Sequence, residues 1–122
     1  MPEEQTPKPI DPSKLSIINQ LIYQLSLILL DLLSAGRATA DPTELMQINN
    51  EYMAVGTILN QAAQAQAAAN DTLFNQVTST LKTQAKMLED METQIKKIVS
   101  DVQLAGRVTG YIAEGITLLI KL

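Results

Sequence analysis

Between Phe74 and Leu119 the chain holds a single hydrophobic register. In steps of three and four the positions are Phe74, Val77, Leu81, Gln84, Leu88, Met91, Ile95, Ile98, Val102, Ala105, Thr109, Ile112, Ile116 and Leu119, and twelve of these fourteen are apolar. A three–four alternation sustained over so many turns marks a helix, or two collinear helices, with one seam turned toward partner helices. Unbroken, residues 72–122 would reach roughly 75 Å. Gly106, Gly110 and Gly115 weaken the helical backbone near the end of this run, so the expected interruption is a bend or kink near Gly106. The segment is therefore read as helices over 72–105 and 106–122, either separate or continuous.

Two further helices precede it. Asp11-Pro12-Ser13 places a capping carboxylate before a proline suited to a first helical turn. The helix is expected to run over 12–35, with Gly36 just past its end and Arg37 facing the negative end of the dipole. Its seam is Leu15, Ile18, Ile22, Leu25, Leu29 and Leu32, and thirteen of the nineteen residues from Leu15 to Leu33 are Leu, Ile or Tyr. A helix that is apolar over most of its circumference is covered on several sides or meets lipid. Asp41-Pro42-Thr43-Glu44 repeats the start signal, with Glu44 placed to reach back as in a capping box. That helix is expected over 42–69, with a seam through Leu45, Ile48, Tyr52, Val55, Leu59, Ala62, Gln66 and Ala69. The alanine-rich stretch up to Ala69 and the cap residues Asn70-Asp71-Thr72 predict a turn.

Residues 1–10 contain three of the five prolines and read as a disordered tail. The rest, 11–122, is a single domain by length. The apolar fraction is 46% but aromatics are only 3%, with Leu, Ile, Ala, Gln and Met as the bulk. This favours helix over strand. The expected fold is all-α, an antiparallel helical bundle of three to four helices with coiled-coil-like heptad seams.

Composition narrows the chemistry. There is no cysteine and no histidine, which removes thiolate ligands, the usual general base and the commonest metal ligand. A net charge of −4 with two arginines argues against nucleic acid, whose phosphates ask for a basic surface. Glu89, Asp90 and Glu92 are the densest acids, but Lys82, Lys86, Lys96 and Lys97 surround them at helical pair spacing, as on a solvated face. Gly106-x-x-x-Gly110 matches the small-residue packing motif, and close helix packing in a bundle is the reading favoured here over membrane dimerisation. No catalytic residue, metal site or cofactor is expected. The acidic, proline-rich first residues do not read as a signal peptide, so the cytoplasm is the expected compartment, with leaderless export left open.

These observations point to a non-enzymatic structural or interaction protein that self-assembles or binds a helical protein partner. The candidate interface comprises the first-helix seam (Leu15, Ile18, Ile22, Leu25, Leu29, Leu32), the polar seam positions Gln66 and Gln84, and Leu88, Met91, Ile95, Ile98, Val102, Ile112, Ile116 and Leu119. Gln66 and Gln84 are expected to fix the alignment of a facing helix, since a polar residue in an apolar seam sets register at some cost in stability. The alternative is a membrane- or lipid-interacting protein, in the manner of helical pore-formers, using residues 15–33 and 108–122.

Overall fold

A computed structural model describes residues 8–122. The expectation of a disordered tail falls mostly outside these residues. Its last part is held: the Lys8 carbonyl accepts a 2.9 Å bond from the Asp71 amide, and Ile10 packs against the core.

The described residues form five helices and no strand: α1 (Pro12–Ala38), α2 (Pro42–Gln66), α3 (Asp71–Lys82), α4 (Ala85–Ile98) and α5 (Val102–Lys121). The capping chemistry starts α1, where Asp11 Oδ1 accepts from the Ser13 amide. It also starts α2, where Asp41 Oδ1 accepts from the Thr43 amide. Asn70 caps α3 through the Leu73 amide in the same way.

Helix α1 lies between α2 and α5, α4 packs on α5, and α3 packs on α2. Their shared core is aliphatic, with Phe74 as its largest side chain. Ile18, Leu21, Leu25, Ile28 and Leu32 supply the α1 side of that core, each fully buried. Gly36 of α1 faces Leu45 and Ile48 of α2, and Asn19 of α1 bonds to Gln66 of α2. Likewise Asp31 of α1 meets Arg107 of α5, and Gly115 of α5 sits against Leu21 of α1 and Leu88 of α4.

Several boundaries depart from the sequence expectation. Helix α1 continues through Gly36 to Ala38 and ends on Thr39 in extended conformation, and no described glycine has positive φ. Gly36 thus serves proximity: a Cβ there would lie 3.3 Å from Leu45 Cδ1. Helix α2 ends at Gln66, three residues short of Ala69.

The long C-terminal segment is three helices. At Thr83–Gln84 both residues keep right-handed helical dihedrals. The amides of Thr83 and Gln84 donate to carbonyls three residues back. This is a 3₁₀-type tightening, and Leu81 and Leu88 on either side of it are both buried. The decisive break is at 99–101 instead of near Gly106. Val99 and Asp101 are extended, and the Asp101 carboxylate caps the Leu104 amide at 3.0 Å. Gly106 lies inside α5. Val102, a seam position by sequence, is 83% exposed while Val99 is buried, because the three-residue turn rotates the chain before α5 begins.

Candidate functional site

The predicted interface residues divide by burial. Ile18, Leu25, Leu32, Leu88, Met91, Ile95, Ile112 and Leu119 are buried within the chain's own core. Leu15, Ile22, Leu29, Ile98 and Ile116 are half-buried against it. Val102 and Gln66 are exposed. Gln66 nonetheless reaches across to a neighbouring helix, donating from Nε2 to Asn19 Oδ1 at 2.7 Å. Gln84 is half-buried at the position before α4 and makes no side-chain cap bond there. Thr109 is buried, and its hydroxyl donates back to the Ala105 and Gly106 carbonyls of its own helix.

Two polar clasps were not anticipated. Arg107 of α5 forms a forked pair with Asp31 of α1, Nε to Oδ2 at 3.1 Å and Nη2 to Oδ1 at 2.7 Å. The Asp31 side chain is nearly enclosed, whereas the guanidinium stays largely in solvent. Hydrogen bonding to Asp31 and its charge raise the Arg107 pKa. The sequence did carry a signal. Asp31 is the lone acid in the apolar run of α1, and Arg107 is one of only two arginines.

The second clasp involves Glu44. Its carboxylate does not close a capping box; the Asp41 amide instead donates to Thr39 Oγ1. Glu44 accepts the Thr39 hydroxyl on one oxygen, and the Ser100 amide (2.9 Å) and hydroxyl (3.0 Å) on the other. These bonds hold its pKa below the usual carboxylate range, with the Thr39 hydroxyl contributing most. Glu44 thereby pins the α4–α5 turn to the start of α2. A recess of about 300 Å³ beside it is lined by Ala35, Ala38, Thr39, Glu44, Val99, Ser100 and Asp101.

The acid-rich stretch of α4 is a solvated face, with Lys86 and Asp90 paired at 3.2 Å and both exposed. Among the described residues no three acidic side chains converge as a cation site would require. The hydroxyls of Ser26, Thr57 and Thr80 donate to carbonyls of their own helices, and that of Thr83, just past α3, donates to the Thr80 carbonyl. Gly106 and Gly110 face open space, with nothing near the position of an added Cβ. The expected close packing at this glycine pair is therefore absent within the chain; the tightest approach to a glycine is at Gly36, where an added Cβ would lie 3.3 Å from Leu45 Cδ1.

What remains is a surface. Tyr23 and Leu30 of α1 are 62% and 60% exposed, and Met46 and Met53 of α2 are 59% and 70% exposed. Beside them, a groove of about 280 Å³ runs between α1 and α2, lined by Leu32, Leu33, Gly36, Arg37, Leu45, Asn49 and Tyr52. Leu45 and Tyr52, seam positions of α2 by sequence, are exposed on this side, whereas Tyr23, Leu30, Met46 and Met53 lie off the seams that periodicity marks. Comparison of the chain with protein-family models, with curated proteins and with solved structures returns no match.

Proposed function

We propose that this chain is a non-enzymatic structural or interaction protein, an antiparallel bundle with heptad-spaced seams that self-assembles or receives a helical protein partner. The carrying observation is the set of large apolar side chains on α1 and α2, Tyr23, Leu30, Met46 and Met53, that stay exposed outside the buried core. Contiguous exposed apolar surface on a small domain is the usual mark of an interaction site. The antiparallel reading is supported by the pairing of opposite helix ends at Asn19–Gln66 and Asp31–Arg107. The heptad reading is supported by burial at Leu81, Leu88, Met91 and Ile95. The chain's composition suits a cytoplasmic protein without a cofactor. Nucleic acid is not a partner in this reading.

Light scattering of purified protein in detergent-free buffer tests it. A sharp mass at an integer multiple of 13.3 kDa, two or above, is expected if the partner is another copy. A monomer that takes up no helical protein partner would overturn the proposal.

A second reading has its own observation. Helix α1 contains an 18-residue window of mean hydropathy 1.5 of which only 33% is buried. Its length and composition suffice to cross or enter a bilayer. Material that becomes uniform only with detergent or lipid would favour this reading.

A further inference from the structure

On its outer side α1 carries a second seam. Asn19, Tyr23, Ser26, Leu30, Leu33 and Arg37 recur at intervals of four and three, separate from the inner seam that fills the core. Helix α2 answers with Leu45, Asn49, Tyr52 and Gly56, continued by Asn60 and flanked by the exposed Met46 and Met53. A Cβ at Gly56 would meet nothing within 4 Å, so the middle of this face is open to a close approach. The Asn19–Gln66 bond and the shared groove join the two seams into one surface.

Charge decides what fits there. Along these outer seams the single charged residue is Arg37, at the rim. The two acids of the α2 interior are engaged elsewhere: Glu44 holds Ser100, and Glu51 is half-buried off this seam. On α5 the residues Val102, Gly106, Gly110, Ala113, Thr117 and Ile120 form an uncharged exposed stripe, but the other surfaces are charged, with Lys82, Lys86, Glu89 and Lys96 on α3 and α4 and Arg107 and Glu114 on α5. Docking any of those against the α1–α2 face would strand charges without partners. Among the described surfaces of this chain, the α1–α2 face is complementary in charge to itself and to the uncharged stripe of α5, and a charge placed at Ala113 tells the two apart. Two copies meeting there also keep their charge-rich halves apart, which suits a chain of net charge −4.

Area agrees. Helices of 27 and 25 residues are about 40 Å long, and side by side they cover a face about 20 Å wide. That footprint, about 800 Å², matches what one partner contributes to a standard stable interface. A two-fold axis needs a self-complementary patch, and an uncharged one satisfies that without like-charge contacts.

We propose that the outer α1–α2 face is an isologous dimer interface, with Leu30 and Met53 near its centre. The inference rests on the self-assembly reading above and names its surface. The test compares the wild-type chain, a Leu30→Glu/Met53→Glu double variant and a control, Ala113→Glu on the exposed side of α5, by sedimentation over a range of concentrations. Both target side chains are largely exposed, so helical circular dichroism should be unchanged and confirms folding. The wild type and the control should sediment at twice 13.3 kDa. The double variant should be monomeric, its dimer dissociation constant raised by at least about a hundredfold. A double variant that stays dimeric overturns this interface while leaving self-assembly intact. A wild type that is monomeric throughout overturns both. If that monomer binds phosphatidylcholine vesicles and the double variant does not, the face meets lipid and the dimer is refuted.

Discussion

Single residues in this fold owe their identity to distance and to desolvation more than to chemistry. Gly115 is enclosed between Leu21 and Leu88, yet an added methyl would find both at 3.8 Å, an ordinary contact. Gly115→Ala should therefore stabilise the protein by about 0.5–1 kcal/mol through lower backbone entropy in the unfolded chain. Gly36→Ala should gain less, because Leu45 Cδ1 at 3.3 Å must give way. Chemical denaturation of the two variants checks the order, and a destabilised Gly115→Ala would show that the α1–α5 contact is tighter than these distances. Glu51 is the converse case. Burial raises its pKa, so its ionised form is less welcome in the folded state than in the unfolded chain. The folded protein binds that proton more tightly, and the cost is present at pH 7 and vanishes below the ordinary carboxylate range, where both states are protonated. Glu51→Gln should accordingly raise the melting temperature at pH 7 and leave it little changed near pH 3.5.

Among elements, the helix starts at Pro12 and Pro42 were legible because Asp-Pro is a local signal, made by adjacent atoms. The break before α5 was not, although Ser100-Asp101 offered a cap. Two helices that fold back on each other both turn an apolar seam to the same core, and the spacing from Ile98 to Ala105 happens to be one heptad. Periodicity is blind to a turn of that length, and the glycines at 106 and 110 drew the break to a place where the helix in fact tolerates them. The forces that set the turn are non-local: Glu44, more than fifty residues away, binds the Ser100 amide and hydroxyl. Removing the local cap with Asp101→Ala should cost about 1 kcal/mol, a fall of about 3–6 °C in melting temperature. Removing the distant anchor with Glu44→Gln has a pH signature. The lowered pKa of Glu44 gives stability that is present above the ordinary carboxylate range and lost as pH falls through the folded value. The wild type should lose stability on acidification faster than Glu44→Gln, and parallel melting curves for the two from pH 7 to pH 3 would remove Glu44 from the turn.

At the scale of the whole molecule, the fold leaves an excess of large apolar side chains exposed, Tyr23, Leu30, Met46, Met53 and Ile120 among them. That excess was readable in the run from Leu15 to Leu33, but its direction was not. Periodicity reports that a helix has an apolar face and cannot say which of two overlapping seams points inward. Leu25 and Leu30 are the same residue type five apart, one fully buried and the other mostly exposed. The difference is set by where α2 and α5 lie against α1. An association built on this face has a distinctive response to salt. Because only Arg37 lies along it, sodium chloride between 20 and 300 mM screens no attractive charge pair there, and it weakens the mutual repulsion of two chains of net charge −4. Affinity should hold or rise slightly across that range, whereas an interface built on Lys86, Asp90 or Arg107 would weaken. Sulfate, excluded from apolar surface, should tighten association further. Sedimentation in the two salts at one protein concentration decides the matter: a dimer that dissociates as sodium chloride is raised would place the contact on the charged faces of α4 and α5 and leave Tyr23, Leu30 and Met53 for a different partner.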